Sequence, residues 1–181
     1  MFKSEVLGLS SGDSQCTPLG NLAVDTPSDA NYVSCEGPTR ITDSQKSLPV
    51  FTQDSPDSVY IWGSQKDKVL FTFSDQKDIH SLALHYFSNS DNQALPKLRF
   101  YAVPEDFEVQ DEVRGSYPMT IIDEVRPGRE QEGLRNKSKT VDFHTSKILM
   151  TKSYTKNYQF YLSEVEFFTN NIGKHSFTHT H

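Results

Sequence analysis

Cysteine is scarce in this chain, with Cys16 and Cys35 the only two among 181 residues. That excludes a disulfide-dense scaffold and, without histidine, a four-ligand zinc site. It leaves room for one bridge, Cys16 to Cys35, whose loop would be worth about 3 kcal/mol in the chain-entropy model. Long apolar runs are missing too: nothing approaches the roughly 18–20 residues that span a bilayer, and the N-terminus lacks the apolar core of a secretion signal. A membrane therefore enters only through a segment outside this sequence. Positive charge is in deficit, 18 Lys and Arg against 24 Asp and Glu for a net charge of −6. A generic phosphate-backbone binder needs clustered cations, so nucleic acid is not the expected partner. No phosphate loop occurs either, since Gly63-Ser-Gln65 lacks the required spacing.

Aromatic residues, in contrast, are plentiful. Twelve Phe, eight Tyr and one Trp make 12% of the chain aromatic although the apolar fraction is only 35%. So much large apolar surface predicts a packed core rather than a disordered chain. Residues 1–15, rich in Ser and Gly, read as a flexible leader and 170–181 as a flexible tail, leaving one domain over 16–169. Met1-Phe-Lys-Ser-Glu fits the opening of a protein or the edge of a fragment from a longer secreted or anchored chain. His175, His179 and His181 read as part of the frayed tail.

Helical periodicity is lacking, whereas period-2 alternation recurs. Val69, Phe71 and Phe73 alternate with Leu70, Thr72 and Ser74; Leu82, Leu84 and Tyr86 follow; Leu98, Phe100 and Ala102 alternate with Lys97, Arg99 and Tyr101. Met119–Ile122, Val141 with Phe143, Ile148 with Met150, Phe160 with Leu162, and Val165 with Phe167 continue the series. Turn chemistry at Ser74-Asp75-Gln76, Asn89-Ser90-Asp91-Asn92, Pro104-Glu105-Asp106 and Arg126-Pro127-Gly128 separates them. Short strands spaced in this way predict an all-β antiparallel sandwich or jelly roll. Phe160, Leu162, Val165 and Phe167 share one apolar face only if the strand bulges at Ser163-Glu164, where the alternation changes phase.

Asn136-Lys137-Ser138 is an N-glycosylation acceptor triplet in the polar run Arg129–Thr140, which reads as a loop. With the cysteine pair it leans toward an oxidising, extracellular setting.

In order and spacing, four segments resemble the discoidin (coagulation-factor type) domains and their galactose-binding-like relatives: Val69-Leu-Phe-Thr-Phe-Ser, His80-Ser-Leu-Ala-Leu-His-Tyr-Phe-Ser-Asn, Leu95-Pro-Lys-Leu-Arg-Phe and Phe160-Tyr-Leu-Ser-Glu-Val-Glu-Phe-Phe. The nearest likeness is to the membrane-proximal discoidin-like domain of discoidin domain receptors. Arg40-Ile-Thr-Asp43 and Val59-Tyr-Ile-Trp62-Gly extend it, so that it runs from about 24 to 169. The chain departs from that family at Arg40 and Ser44. Cys16-Thr-Pro-Leu-Gly20 is similar to the opening of ordinary discoidin domains, but their partner cysteine at the domain's end is missing, leaving Cys35.

The resemblance implies a structural Ca²⁺ held by Asp25, Asp43 and Glu164, with the Arg40 carbonyl able to contribute, joining the first loops to the closing strand. The residues alone leave another reading open, in which Asp25 and Asp43 make Asx-turns and Glu164 faces water. Glu164 with Glu166 reads as a solvated strand face rather than an acid–base pair. His80, His85 and His144 read as structural or surface residues, because no triad partner can be identified. The expected function is a non-catalytic extracellular module of a receptor or adhesion protein that holds a protein or glycan on loops at one end of the sandwich. The alternative is a carbohydrate-binding module of a secreted enzyme, for which Tyr32, Phe51, Tyr60 and Trp62 are the candidate stacking aromatics.

Overall fold

The computed structural model describes residues 23–25, 32–33, 60–62, 68–88, 95–126, 128–153 and 160–169. Within them the chain forms β1 (Ala23–Asp25), β2 (Tyr32–Val33), β3 (Tyr60–Trp62), β4 (Lys68–Ser88), β5 (Leu98–Val103), β6 (Met119–Ile122), β7 (Gly133–Lys152) and β8 (Phe160–Phe168). Every pairing is antiparallel, in the order β2-β3-β8-β4-β7-β5-β6, with β1 beside β4. No helix occurs among the described residues.

Two layers arise because β4 and β7 run side by side through both of them. In the first layer Leu70–Thr72 of β4 pair with β1, and Lys147–Lys152 of β7 pair with β5, which carries β6. In the second, Ser81–Phe87 of β4 pair with β8, which carries β3 and then β2. Register shifts between Thr72 and Lys77 and between Ile79 and Ser81 mark the crossing. A bulge bends its strand and adds twist, which lets the ribbon fold back on itself. The expected turn at Ser74-Asp75-Gln76 is therefore not a hairpin: those exposed residues lie inside β4, at the bend.

One core fills the space between the layers. Val69, Phe71, Leu98, Phe100, Ile148 and Met150 from the first layer meet Leu82, Leu84, Tyr86, Phe160, Leu162, Val165 and Phe167 from the second. Phe167 joins them directly, its ring 5.0 Å from Phe71, 5.5 Å from Phe73 and 6.4 Å from Phe100, all edge-on. Edge-to-face rings add to the stabilisation from burial alone. Of the alternating positions, Phe71, Phe73, Leu82, Leu84, Leu98, Phe100, Phe160, Leu162, Val165 and Phe167 are all buried, while Met119 is exposed. The bulge in β8 is also present: His85 pairs with Glu164 and Tyr86 with Leu162, so Ser163 is the extra residue.

The expected loop at Arg129–Thr140 is corrected in part, because Gly133–Thr140 is strand, paired with Ser81–Ser88. Its polar residues suit what is an edge among the described residues, and charged side chains such as Lys137 and Lys139 protect such an edge from pairing with other chains. Asn136 stands exposed on this edge strand. Gly128 (φ +72°) lies in a turn closed by the Arg129 N–H donating to the Arg126 carbonyl at 3.2 Å, a left-handed conformation that glycine adopts without strain.

Candidate functional site

The first layer is covered on its outer face as well. Leu70, Leu149 and Tyr101 form a cross-strand row on that face. Over it packs the chain between β5 and β6, residues 104–118, through Phe107, Val109, Val113 and Tyr117. Three turns compact this segment: Phe107 N–H donates to the Pro104 carbonyl (3.0 Å), Asp111 N–H to Glu108 (2.9 Å) and Tyr117 N–H to Arg114 (3.2 Å). The Glu108 N–H donates to Asp111 Oδ2 at 2.7 Å. From the sheet below, Lys68 Nζ donates to the Asp111 carbonyl (2.6 Å) and Lys147 Nζ to the Phe107 carbonyl (2.8 Å). A loop packed on its own side chains and bonded to rigid strands can present groups in fixed positions.

This loop borders a solvent-open cavity of about 570 Å³ lined by Asp106, Phe107, Asp111, Glu112, Arg114 and Tyr117, together with Pro104 and Val113. Tyr117 is half-buried, and its ring stands edge-on to Phe107 at 6.1 Å. The volume suits a small ligand. Carboxylates accept and a guanidinium donates hydrogen bonds, so hydroxyl groups are well matched to the rim, and an aromatic wall suits the C–H faces of a sugar ring.

The outer face of the second layer holds a different arrangement. His85 Nε2 lies 2.7 Å from Glu166 Oε2, with each side chain 11% exposed. Glu164, across from His85 on β8, is 3% exposed. The expectation of a solvated carboxylate face is thus overturned: both glutamates are buried, and an imidazole two strand positions away supplies Glu166 with its hydrogen bond. Inside the sandwich Tyr86 Oη donates to both oxygens of Glu130 at 2.8 Å. Burial, and after it that hydrogen bond, pushes the Tyr86 phenol well above the usual tyrosine range.

His85 is buried on β4 beside Glu166. His144 and His80 are at the ribbon's bend, where His144 Nδ1 is 2.5 Å from Asp78 Oδ1 and His80 Nδ1 is 3.9 Å from Asp142 Oδ1. Of the residues expected to hold Ca²⁺, Asp25 is on β1 opposite Leu70 in the first layer, and Glu164 is on β8 in the second. Asp43, Cys16 and Cys35 lie outside the described residues. Among the described residues no three His, Cys, Asp or Glu side chains are grouped to hold a metal ion. Tyr60 and Trp62 are on β3 and Tyr32 on β2, while Phe51 lies outside the described residues. Tyr117 carries no local motif that marks it in the sequence. Its signal was the spacing of Phe107, Val109, Val113 and Tyr117 through an otherwise polar stretch.

No protein-family model and no curated protein sequence matches the chain. Solved structures do match it. A fucose binding module from Streptococcus pneumoniae superposes with a TM-score of 0.53 at 11% identity, covering 88% of this chain and 99% of the module. A structure from the Streptococcus pneumoniae beta-galactosidase BgaA superposes at 0.50, again with 11% identity, over 83% of this chain and 99% of that one. At this identity the likeness is one of fold alone, that of an antiparallel β-sandwich.

Proposed function

We propose that this chain is a non-catalytic, extracellular glycan-binding module whose site is the cavity of the 104–118 loop. The observation that carries the reading is the convergence of Tyr117, Arg114 and three carboxylates, Asp106, Asp111 and Glu112, on one cavity held by a hydrogen-bonded loop. The fold supports it through the fucose binding module, although one fold hosts many ligands. A setting in a receptor or adhesion protein and one in a secreted enzyme make the same demand on the domain, and this cavity suits both. Under the resemblance to discoidin-like domains, Ca²⁺ is its structural ion, with Glu164 as the ligand from the closing strand. Glu164 is a buried carboxylate at a bulge, whereas Glu166 is bonded to His85 and Asp25 lies on the other layer, so the remaining oxygens would come from residues outside the described ones, Asp43 among them.

The test is glycan-array screening followed by titration calorimetry on the 181-residue chain. Arg114→Ala and Asp106→Ala, both at exposed positions, should each weaken the selected sugar about tenfold or more, the loss of a charge-assisted hydrogen bond or two. Tyr117→Leu, which keeps apolar bulk on the loop, should do the same. Unchanged affinity in all three variants would move the site elsewhere.

A further inference from the structure

We propose that the 104–118 cavity sorts sugars by charge, accepting uncharged and amine-bearing residues and rejecting uronates, sialates and sulfated sugars; this rests on the glycan reading above. The loop carries five carboxylates, Glu105, Asp106, Glu108, Asp111 and Glu112, and a single cationic side chain, Arg114. Three of the five line the cavity with Arg114, and all are exposed.

Among the described residues, the other cations bonded to the loop come from the strands beneath it. Lys68 and Lys147 donate to the carbonyls of Asp111 and Phe107, so both ammonium groups are committed to main-chain oxygens. Counting them in full, the carboxylates still outnumber the cations, and the field at the mouth is negative. Arg114 supplies a fork that a neutral sugar can use through paired hydroxyls. An anionic sugar meets that one cation against three lining carboxylates, and a like-charge approach in a cleft is penalised more than on open surface. A free amino group, in contrast, donates charge-assisted hydrogen bonds to the same carboxylates.

The experiment compares matched methyl glycosides by calorimetry on the 181-residue chain: galactose, galactosamine and galacturonate, and the corresponding glucose series, with fucose as a further neutral sugar. In the series that binds, the amine should bind at least as tightly as the neutral sugar and the uronate at least tenfold more weakly. High salt should narrow that gap, because charges at the mouth are screened. Glu105→Gln with Glu108→Gln, neither of which lines the cavity, should raise uronate affinity severalfold and leave neutral sugars unchanged. A uronate bound as tightly as its neutral partner, or a gap that neither salt nor the double variant alters, overturns the charge rule while the glycan reading stands. Binding of none of these sugars overturns the glycan reading, and the charge rule with it.

Discussion

His85 and Glu166 are 81 residues apart in sequence, yet Nε2 of one lies 2.7 Å from Oε2 of the other across neighbouring strands. A buried polar pair is weak evidence for net stabilisation, but breaking it leaves a carboxylate or an imidazole desolvated without this hydrogen bond. We expect His85→Ala and Glu166→Gln each to cost about 3–5 kcal/mol in urea denaturation, and His85→Leu with Glu166→Met to recover most of that loss. Single losses below about 1 kcal/mol would show the pair to be solvated.

Burial of Tyr86, and after it the hydrogen bond to Glu130, links stability to alkaline pH. Folding raises the phenol's pKa above its ordinary value of 10.0, so the folded state holds the proton more tightly. The associated stabilisation is complete below that pH and is lost as pH rises above it. Tyr86→Phe should cost about 1–2 kcal/mol at neutral pH. The difference between wild type and variant should shrink above pH 10; parallel stability curves through that range would exclude the linkage.

Phe167 meets the rings of Phe71, Phe73 and Phe100, so its removal opens a cavity between the layers. Phe167→Ala should destabilise the protein by about 3–5 kcal/mol, against a smaller loss for Phe167→Leu. Met119→Ala, at an exposed side chain on the edge strand β6, should change stability by less than about 0.5 kcal/mol. Chemical denaturation with both series measures the contrast.

The Ca²⁺ reading predicts linkage. Millimolar Ca²⁺ should raise the melting temperature and chelation should lower it, since an ion that binds only the folded state stabilises it by mass action. Glu164→Gln should remove most of the response while changing the metal-free protein little. Superimposable melts with chelator and with Ca²⁺ would rule the ion out.

The core was legible because alternation has a fixed physical period: Phe71 and Phe73, or Leu82 and Leu84, can share a face only in an extended chain. Even the bulge at Ser163 was legible, as a change of phase between Leu162 and Val165. Ser74-Asp75-Gln76 misled because the bend of a ribbon passing between two layers is as wet as a hairpin tip and selects the same polar residues. Asn136 misled likewise, since one side of an edge strand needs no apolar residues. The burial of Glu164 and Glu166 was hidden for another reason: what hydrogen-bonds Glu166 is His85, and no local pattern connects two such distant positions. The cavity of residues 104–118 shared that obscurity, because an acidic loop looks solvated until the spaced Phe107, Val109, Val113 and Tyr117 are seen to tie it down.

The position of β8 bears on how the protein is made. It lies between β3 and β4, so the last described strand to leave the ribosome belongs in the interior of its layer, next to one that emerged some eighty residues before. Until then β3 and β4 expose unpaired backbone on facing edges, and Phe71, Phe73 and Phe100 lack the ring that joins them. Such non-local closure makes folding slow and the nascent chain prone to association. Ribosome-stalled chains ending before Phe160 should therefore stay sensitive to protease, with protection gained in one step once Phe168 has cleared the exit tunnel.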